Sequence, residues 1–176
     1  MVRLAHALPD FQLRLPRRSP ANVLGLLLAL IFIIVAQPAS AGDGGVPRLT
    51  DLVQDGARSS EQKRVILIEF ASEDCPYCRQ LEDEFLKPML KNREYDEKVL
   101  IRAAMLYEGQ AIVDFDGTTI SADTLADRYG VDLTPTMLFL DSRGNQLSEP
   151  LVGIWSPDFF GGFIDARIDS ARAKLQ

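Results

Sequence analysis

The sequence predicts an α/β fold in which helices flank a central mixed β-sheet. Three observations predict it. Val65–Phe70 is apolar at both parities, as in a strand buried on both faces. A helix-patterned stretch separates it from a second apolar run, Val99–Ala104, so the two strands run parallel with the helical stretch as their crossover. Met137–Leu140 and Leu147–Ile154 then flank the turn Asp141-Ser142-Arg143-Gly144-Asn145, and a helix closes the chain.

The chain has 176 residues, 47% hydrophobic and 25% charged, which suits one globular domain with a substantial core. Residues 1–41 stand apart from that domain. Arg3, Arg14, Arg17 and Arg18 make a basic lead, Val23–Ala36 is an apolar run, and Ala39-Ser40-Ala41 is the small-x-small pattern of a signal-peptidase site. This reads as an export signal cut before Gly42. An uncleaved anchor is the alternative, but it needs roughly 18 or more apolar residues, and Pro38 breaks this shorter run. Arg17-Arg18 is followed by Ser19 and Pro20, where a twin-arginine signal has hydrophobic residues. The sequence thus divides into a signal peptide (1–41), a flexible leader (42–48) and a folded domain (49–176).

Loss of the signal changes the chemistry available. Residues 1–41 carry four Arg and one Asp, a charge of +3, so the net charge falls from −6 to −9 over the remaining 135 residues. Such a surface argues against nucleic acid and anionic lipid. His6, the single histidine, goes with the signal. That excludes Ser-His-Asp and Cys-His hydrolysis, haem ligation by His, and His-ligated zinc or copper. Thiol and carboxylate chemistry remains.

In order along the domain, Leu49, Leu52, Val53 and Ala57 recur at helical spacing after Thr50-Asp51, predicting a short N-terminal helix, and Arg58–Arg64 reads as a polar connection. After the strand at Val65–Phe70, a helix is expected from Pro76 to about Lys87, interrupted at Pro88, with Leu81, Phe85 and Met89 continuing the face of Cys78. Ala111–Phe115 and Thr118–Ile120 surround Asp116-Gly117, the signature of a hairpin or tight turn. Ala122–Tyr129 is a helix capped by Ser121 and ended by Gly130. Ser156-Pro157 caps and opens the last helix, whose apolar face is Phe160, Phe163, Ile164, Ile168, Ala171 and Leu175. Trp155 reads as a core or edge residue.

The only two cysteines, Cys75 and Cys78, sit three apart where a strand turns into a helix. That offset places both sulfurs on one helix face, within reach of a disulfide. Cys75, at the helix start, has its thiolate favoured by free N–H groups and the helix dipole, so it is the expected nucleophile. Cys78, one turn deeper, is the resolving thiol. A purely structural bridge is the other possibility, yet one closing so small a loop restrains the unfolded chain little. Zinc would need four ligands, so two chains would have to pool their cysteines. Pro76 suits the first helical position. Tyr77 either contacts a partner and gates Cys75 or is an exposed ring. Glu73 and Asp74 read as turn and cap residues whose charge opposes the thiolate.

The order and spacing of Ile68-Glu69-Phe70, Cys75-Pro76-Tyr77-Cys78, Tyr129-Gly130-Val131, Thr134-Pro135-Thr136, the Asp141–Asn145 turn and Val152-Gly153 resemble the thioredoxin family over roughly residues 49–175. The chain is similar to exported, periplasmic thioredoxin-like proteins. It departs from them in having Asp74 before the first cysteine, a glutaredoxin-like Pro-Tyr between the cysteines, a later helix proline and an insertion over 105–121.

The resemblance implies a thioredoxin-like fold and a role for Glu69, six residues before Cys75, as a buried acid that shuttles protons to and from Cys78. Burial itself is read from the apolar neighbours of Glu69, and a strand-end carboxylate reaching water is the alternative. The resemblance also implies a cis peptide at Thr134–Pro135 facing the disulfide, with Pro76, Tyr77, Thr134 and Pro135 forming the substrate groove. The expected activity is reduction of protein disulfides in the periplasm by a monomer that a membrane electron donor recharges, without cofactor or metal. Disulfide oxidation or isomerisation, and a non-catalytic binding module with a structural disulfide, are the alternatives.

Overall fold

Seven consecutive buried residues, Val65–Ala71, form β1, an inner strand with a neighbour on each side. A computed structural model describes residues 44–175. The chain divides into two units, Met1–Ala41 and Gly42–Gln176, and the described residues belong to the second. The basic lead, the apolar run and the Ala39-Ser40-Ala41 site lie outside the described residues, as does Gly42.

The main sheet has the order β2-β1-β5-β6, with β2 at Val99–Met105, β5 at Thr136–Leu140 and β6 at Leu151–Val152. β1 pairs in parallel with β2 and antiparallel with β5, so the sheet is mixed, as expected. Alternation along β1 sorts its side chains onto two cores. Val65 and Leu67 meet Leu81, Leu86, Met89, Phe160, Ile164 and Ile168 on one face. Ile66, Ile68 and Phe70 meet Leu49, Leu52, Ile112 and Leu125 on the other. Helices therefore cover both faces, which is why β1 shows no polar parity.

The first helix, α1, runs Leu52–Gln62, capped by Asp51, whose Oδ1 accepts from the Gln54 N–H at 2.8 Å. Two expectations need correcting. Leu49 precedes the helix and donates its N–H to the Ala103 carbonyl at 2.8 Å, and the supposed connection from Arg58 onward is helical as far as Gln62. The inward face is Leu52, Asp55, Gly56 and Ser59, whereas Val53 and Ala57 are exposed. Polar side chains hold this face because they find partners. Asp55 pairs with Arg102 of β2 at 2.8 and 2.7 Å, and Ser59 donates to the Arg64 carbonyl at 2.6 Å. The segment expected to be a leader is also held from Val46 onward: Val46 is buried and the Pro47 carbonyl accepts from the Ala103 N–H at 2.9 Å.

The helix that carries the cysteines does not stop at Pro88. It runs as α2 (Pro76–Leu81), a π turn over Glu82–Leu86 and α3 (Lys87–Lys91), followed by a short α4 (Arg93–Asp96). Pro88 has no N–H and would clash with a carbonyl four residues back in a regular helix. The π turn absorbs this by inserting one extra residue, with the Lys87 N–H donating to Glu82 O, five back. The inserted residue also rotates the inward face, so that Leu86 is fully buried and Phe85 only partly.

β3 (Ala111–Val113) and β4 (Thr119–Ser121) form the expected hairpin, with Gly117 at φ +84° in its turn. α5 (Ala122–Arg128) follows, and its cap is Ser121, whose Oγ accepts from the Thr124 N–H at 3.0 Å. The Asp141 turn is built as read, Oδ1 accepting from the N–H groups of Arg143 and Asn145 at 2.7 and 2.8 Å. The returning strand, expected over Leu147–Ile154, is cut to Leu151–Val152. Leu147 still donates to the Phe139 carbonyl at 2.8 Å, but Pro150 has no N–H and the chain leaves the ladder before it. The last helix, α6, is Pro157–Ala173 and buries Phe160, Ile164, Ile168 and Ala171. Ser156 holds the cap position without making the expected side-chain hydrogen bond. Phe163 lies at the edge against the exposed Trp155, ring centroids 4.3 Å apart.

Candidate active site

β1 ends at Ala71 and the chain turns through Ser72–Asp74 into α2, which delivers both thiols. Cys75 is the N-cap residue, extended at φ −97°, and its Sγ accepts the Cys78 N–H at 3.0 Å. The two sulfurs are bonded, with Cα atoms 5.2 Å apart. The N–H that stabilises a thiolate at Cys75 is therefore supplied by the residue that carries the second thiol. Cys78 is more enclosed, 2% exposed against 7% for Cys75, matching the expected order of depth. Ala71 and Met105 share one buried cluster with the two cysteines.

Pro76 is exposed at the first helical position, and Tyr77 is 59% exposed beside the pair. Glu73 and Asp74 are exposed in the turn, and the Glu73 carbonyl accepts from Arg79 Nη1 at 3.1 Å. The Thr134–Pro135 peptide is cis. Thr134 Oγ1 lies 3.3 Å from Ser72 Oγ, which joins the proline loop to the cysteine turn. Pro135 is buried, and its carbonyl accepts the Gly153 N–H at 2.8 Å.

Glu69 is 0% exposed and neither carboxylate oxygen has a hydrogen-bond partner among the described residues. The alternative of a strand-end carboxylate reaching water does not hold. Glu69 lies on the β1 face that also carries Leu67 and Ala71, the face covered by α2. Burial pushes its pKa up to about 8; Glu82 adds to the rise and Lys87 opposes it. It is thus largely neutral at pH 7 and ionises at the upper edge of the neutral range.

Several neighbours escaped the sequence reading. Met105 reaches the cysteines because β2 extends one residue past the expected end. The Leu106 N–H donates to the Ala71 carbonyl at 2.8 Å, bringing the expected insertion against the cysteine turn. A cavity of about 240 Å3 lies there, lined by Ser72, Glu73, Asp74, Leu106, Tyr107 and Glu108. Glu82 was legible in principle, since it follows Cys78 by four residues on the same helix face. Ser72 had no signal beyond its place in the turn.

The fold and the site together define the class. Residues 54–167 match the thioredoxin-like domain, and the chain belongs to that family. A bonded Cys-x-x-Cys pair at a helix start on this fold supports a thiol–disulfide oxidoreductase in general. No curated protein matches the chain. Solved structures similar to it include thioredoxin NaTrxh from Nicotiana alata, at 19% identity over 69% of this chain and 93% of that one, TM-score 0.43. Others are the oxidised C-terminal domain of DsbD from Neisseria meningitidis, at 17% over 68% and 98%, TM-score 0.43, and a thioredoxin-like protein from Clostridium perfringens, at 20% over 75% and 89%, TM-score 0.47.

Proposed function

We propose that the protein reduces disulfides of exported proteins in the periplasm, with Cys75 as nucleophile, Cys78 as resolving thiol and Glu69 as their acid–base partner. The observation that carries this reading is the Cys78 N–H held on Cys75 Sγ at the helix start. The Cys75 thiolate attacks one sulfur of the substrate disulfide and expels the other as a thiolate, which takes a proton from water. Cys78 then gives its proton to the Glu69 carboxylate, attacks Cys75 Sγ in the mixed disulfide and expels the second substrate sulfur as a thiolate, which takes a proton from water. The substrate gains two electrons and the protein is left with the bonded pair. A membrane donor returns it to the dithiol.

Glu69 suits the second step energetically. A free thiol has a pKa near 8.5, so transfer to a carboxylate whose pKa is about 8 is close to balanced. An ordinary glutamate, near 4.3, would make the same transfer uphill by roughly 6 kcal/mol at about 1.4 kcal/mol per unit. Pro76, Tyr77, Thr134 and Pro135 form the groove that receives the substrate chain. Export by residues 1–41 is part of this reading and rests on the signal pattern.

The test is reduction of insulin by the pre-reduced protein. Cys75→Ser should abolish it, and Cys78→Ser should accumulate a mixed disulfide through Cys75. Insulin reduction that survives Cys75→Ser, or the absence of any mixed disulfide with Cys78→Ser, would reject the assigned roles.

A further inference from the structure

Nothing in the exchange of thiols itself uses a cavity of about 750 Å3 lined by Val46, Pro47, Arg48, Glu82, Lys87 and Ala103. Its position relates it to Glu69. Ala103 is the residue opposite Glu69 in the β1–β2 register, and its side chain is a single methyl, where the neighbouring partners are Ile101 and Met105. Ala103 thus stands between Glu69 and the cavity that it lines. Because Glu69 has no hydrogen-bond partner among the described residues, a proton that reaches or leaves it is exchanged with water or with a group that water reaches.

The two charged side chains at the cavity's helical wall are the ones that act on Glu69. Lys87 Nζ lies 3.5 Å from Glu82 Oε2 and 2.6 Å from Asp83 Oδ1. Both Glu82 and Lys87 retain partial exposure, so water meets them. The π turn brings the two together, linking Lys87 N–H to Glu82 O. Other charges nearby are committed elsewhere. Arg48 pairs with Glu108 at 3.3 Å, and Arg102 points to the opposite sheet face, bound to Asp55. On the β5 side Glu69 faces Met137, which is neutral.

The cavity lies on the β2 flank of β1, whereas Thr134–Pro135 leads into β5 on the other flank. A substrate docked along the proline loop leaves the β2 flank open. We propose that this cavity is the proton inlet of Glu69, and that Glu82, held by Lys87, is the positioning residue through which Glu69 exchanges protons with water. Glu69, largely protonated at pH 7, first loses its proton through the cavity; its carboxylate then takes the proton of Cys78 and passes it out the same way while the mixed disulfide still covers the thiols. This rests on Glu69 being the acid–base partner of Cys78.

The test follows the carboxyl stretch of Glu69 by infrared difference spectroscopy on the whole protein, with the band assigned by its loss in Glu69→Gln. Glu82→Gln should lower the titration midpoint of that band and Lys87→Met should raise it. Gly44 lines the cavity, and a Cβ there meets nothing within 4 Å, so the position accepts a side chain and Gly44→Trp is the variant chosen to obstruct the cavity. This variant should leave the midpoint unchanged and slow deuterium exchange of the carboxyl several-fold. Midpoints that move in the same direction or not at all, or exchange as fast as in the parent, would overturn the inlet. Unchanged turnover of Glu69→Gln across pH would instead reject the acid–base role while leaving the spectroscopic result standing.

Discussion

Glu69 of β1 stands opposite Ala103 of β2 and Met137 of β5, so its carboxyl enters the core between two apolar partners. An acid in that place lowers stability at neutral pH. Its pKa is about 8 in the folded chain and near 4.3 when unfolded. Below pH 4 both states hold the proton and no difference arises. Between the two values the folded state keeps a proton that the unfolded state has lost, so stability falls as pH rises through that window.

Glu69→Gln should therefore be more stable than the parent at pH 7, by on the order of 3 kcal/mol, with the gain vanishing toward pH 4. Urea unfolding of both proteins at several pH values measures this. A constant difference across the window would mean that Glu69 ionises in the folded protein as it does in water.

Cys75 should titrate below the 8.5 of a free thiol once the disulfide is reduced. In the reduced protein the Cys78 N–H, which meets Sγ of the bonded pair at 3.0 Å, would bond a thiolate, a contact worth about 1.5–3 kcal/mol, whereas Glu73 and Asp74 are exposed and their repulsion is screened. Alkylation of the reduced protein as a function of pH, with the site read by mass, should show Cys75 reacting first with a midpoint under that value. A midpoint at or above it would leave the cap contact without chemical effect.

The redox potential is expected between the glutaredoxin range, near −200 to −230 mV, and thioredoxin at about −270 mV. The Pro76-Tyr77 dipeptide resembles the first, and the exposed, screened charge of Asp74 pulls weakly toward the second by opposing the thiolate. Equilibration against a glutathione buffer gives the value. One near the −120 mV of a strong oxidant would reverse the direction of electron flow in favour of disulfide formation.

Export should shorten the chain to Gly42–Gln176. Intact-mass measurement of the extracytoplasmic protein checks it. A full-length chain retained in the membrane would show that the apolar run Val23–Ala36 acts as an anchor.

What the sequence determined by itself is what short-range chemistry decides. The strand at Val65–Phe70, the thiol spacing, the Ser121 cap, the Asp116-Gly117 hairpin and the Asp141 turn each depend on residues a few positions apart, and each stands where expected. The tertiary structure decided what depends on partners far along the chain. Asp55 was invisible as a core residue because periodicity counts apolar side chains, and its partner Arg102 lies 47 residues away. The interruption expected at Pro88 is instead a π turn before it, which relieves the clash while burial of Leu81, Leu86 and Met89 carries the helix past the proline. The contact between Ser72 and Thr134 exists only because β5 runs antiparallel beside β1 and places its leading loop next to the turn that follows β1. The burial of Glu69 has the same origin, since a strand's own pattern shows that it is enclosed, but only its neighbours in the sheet and the helix above it show that the carboxyl has no partner there.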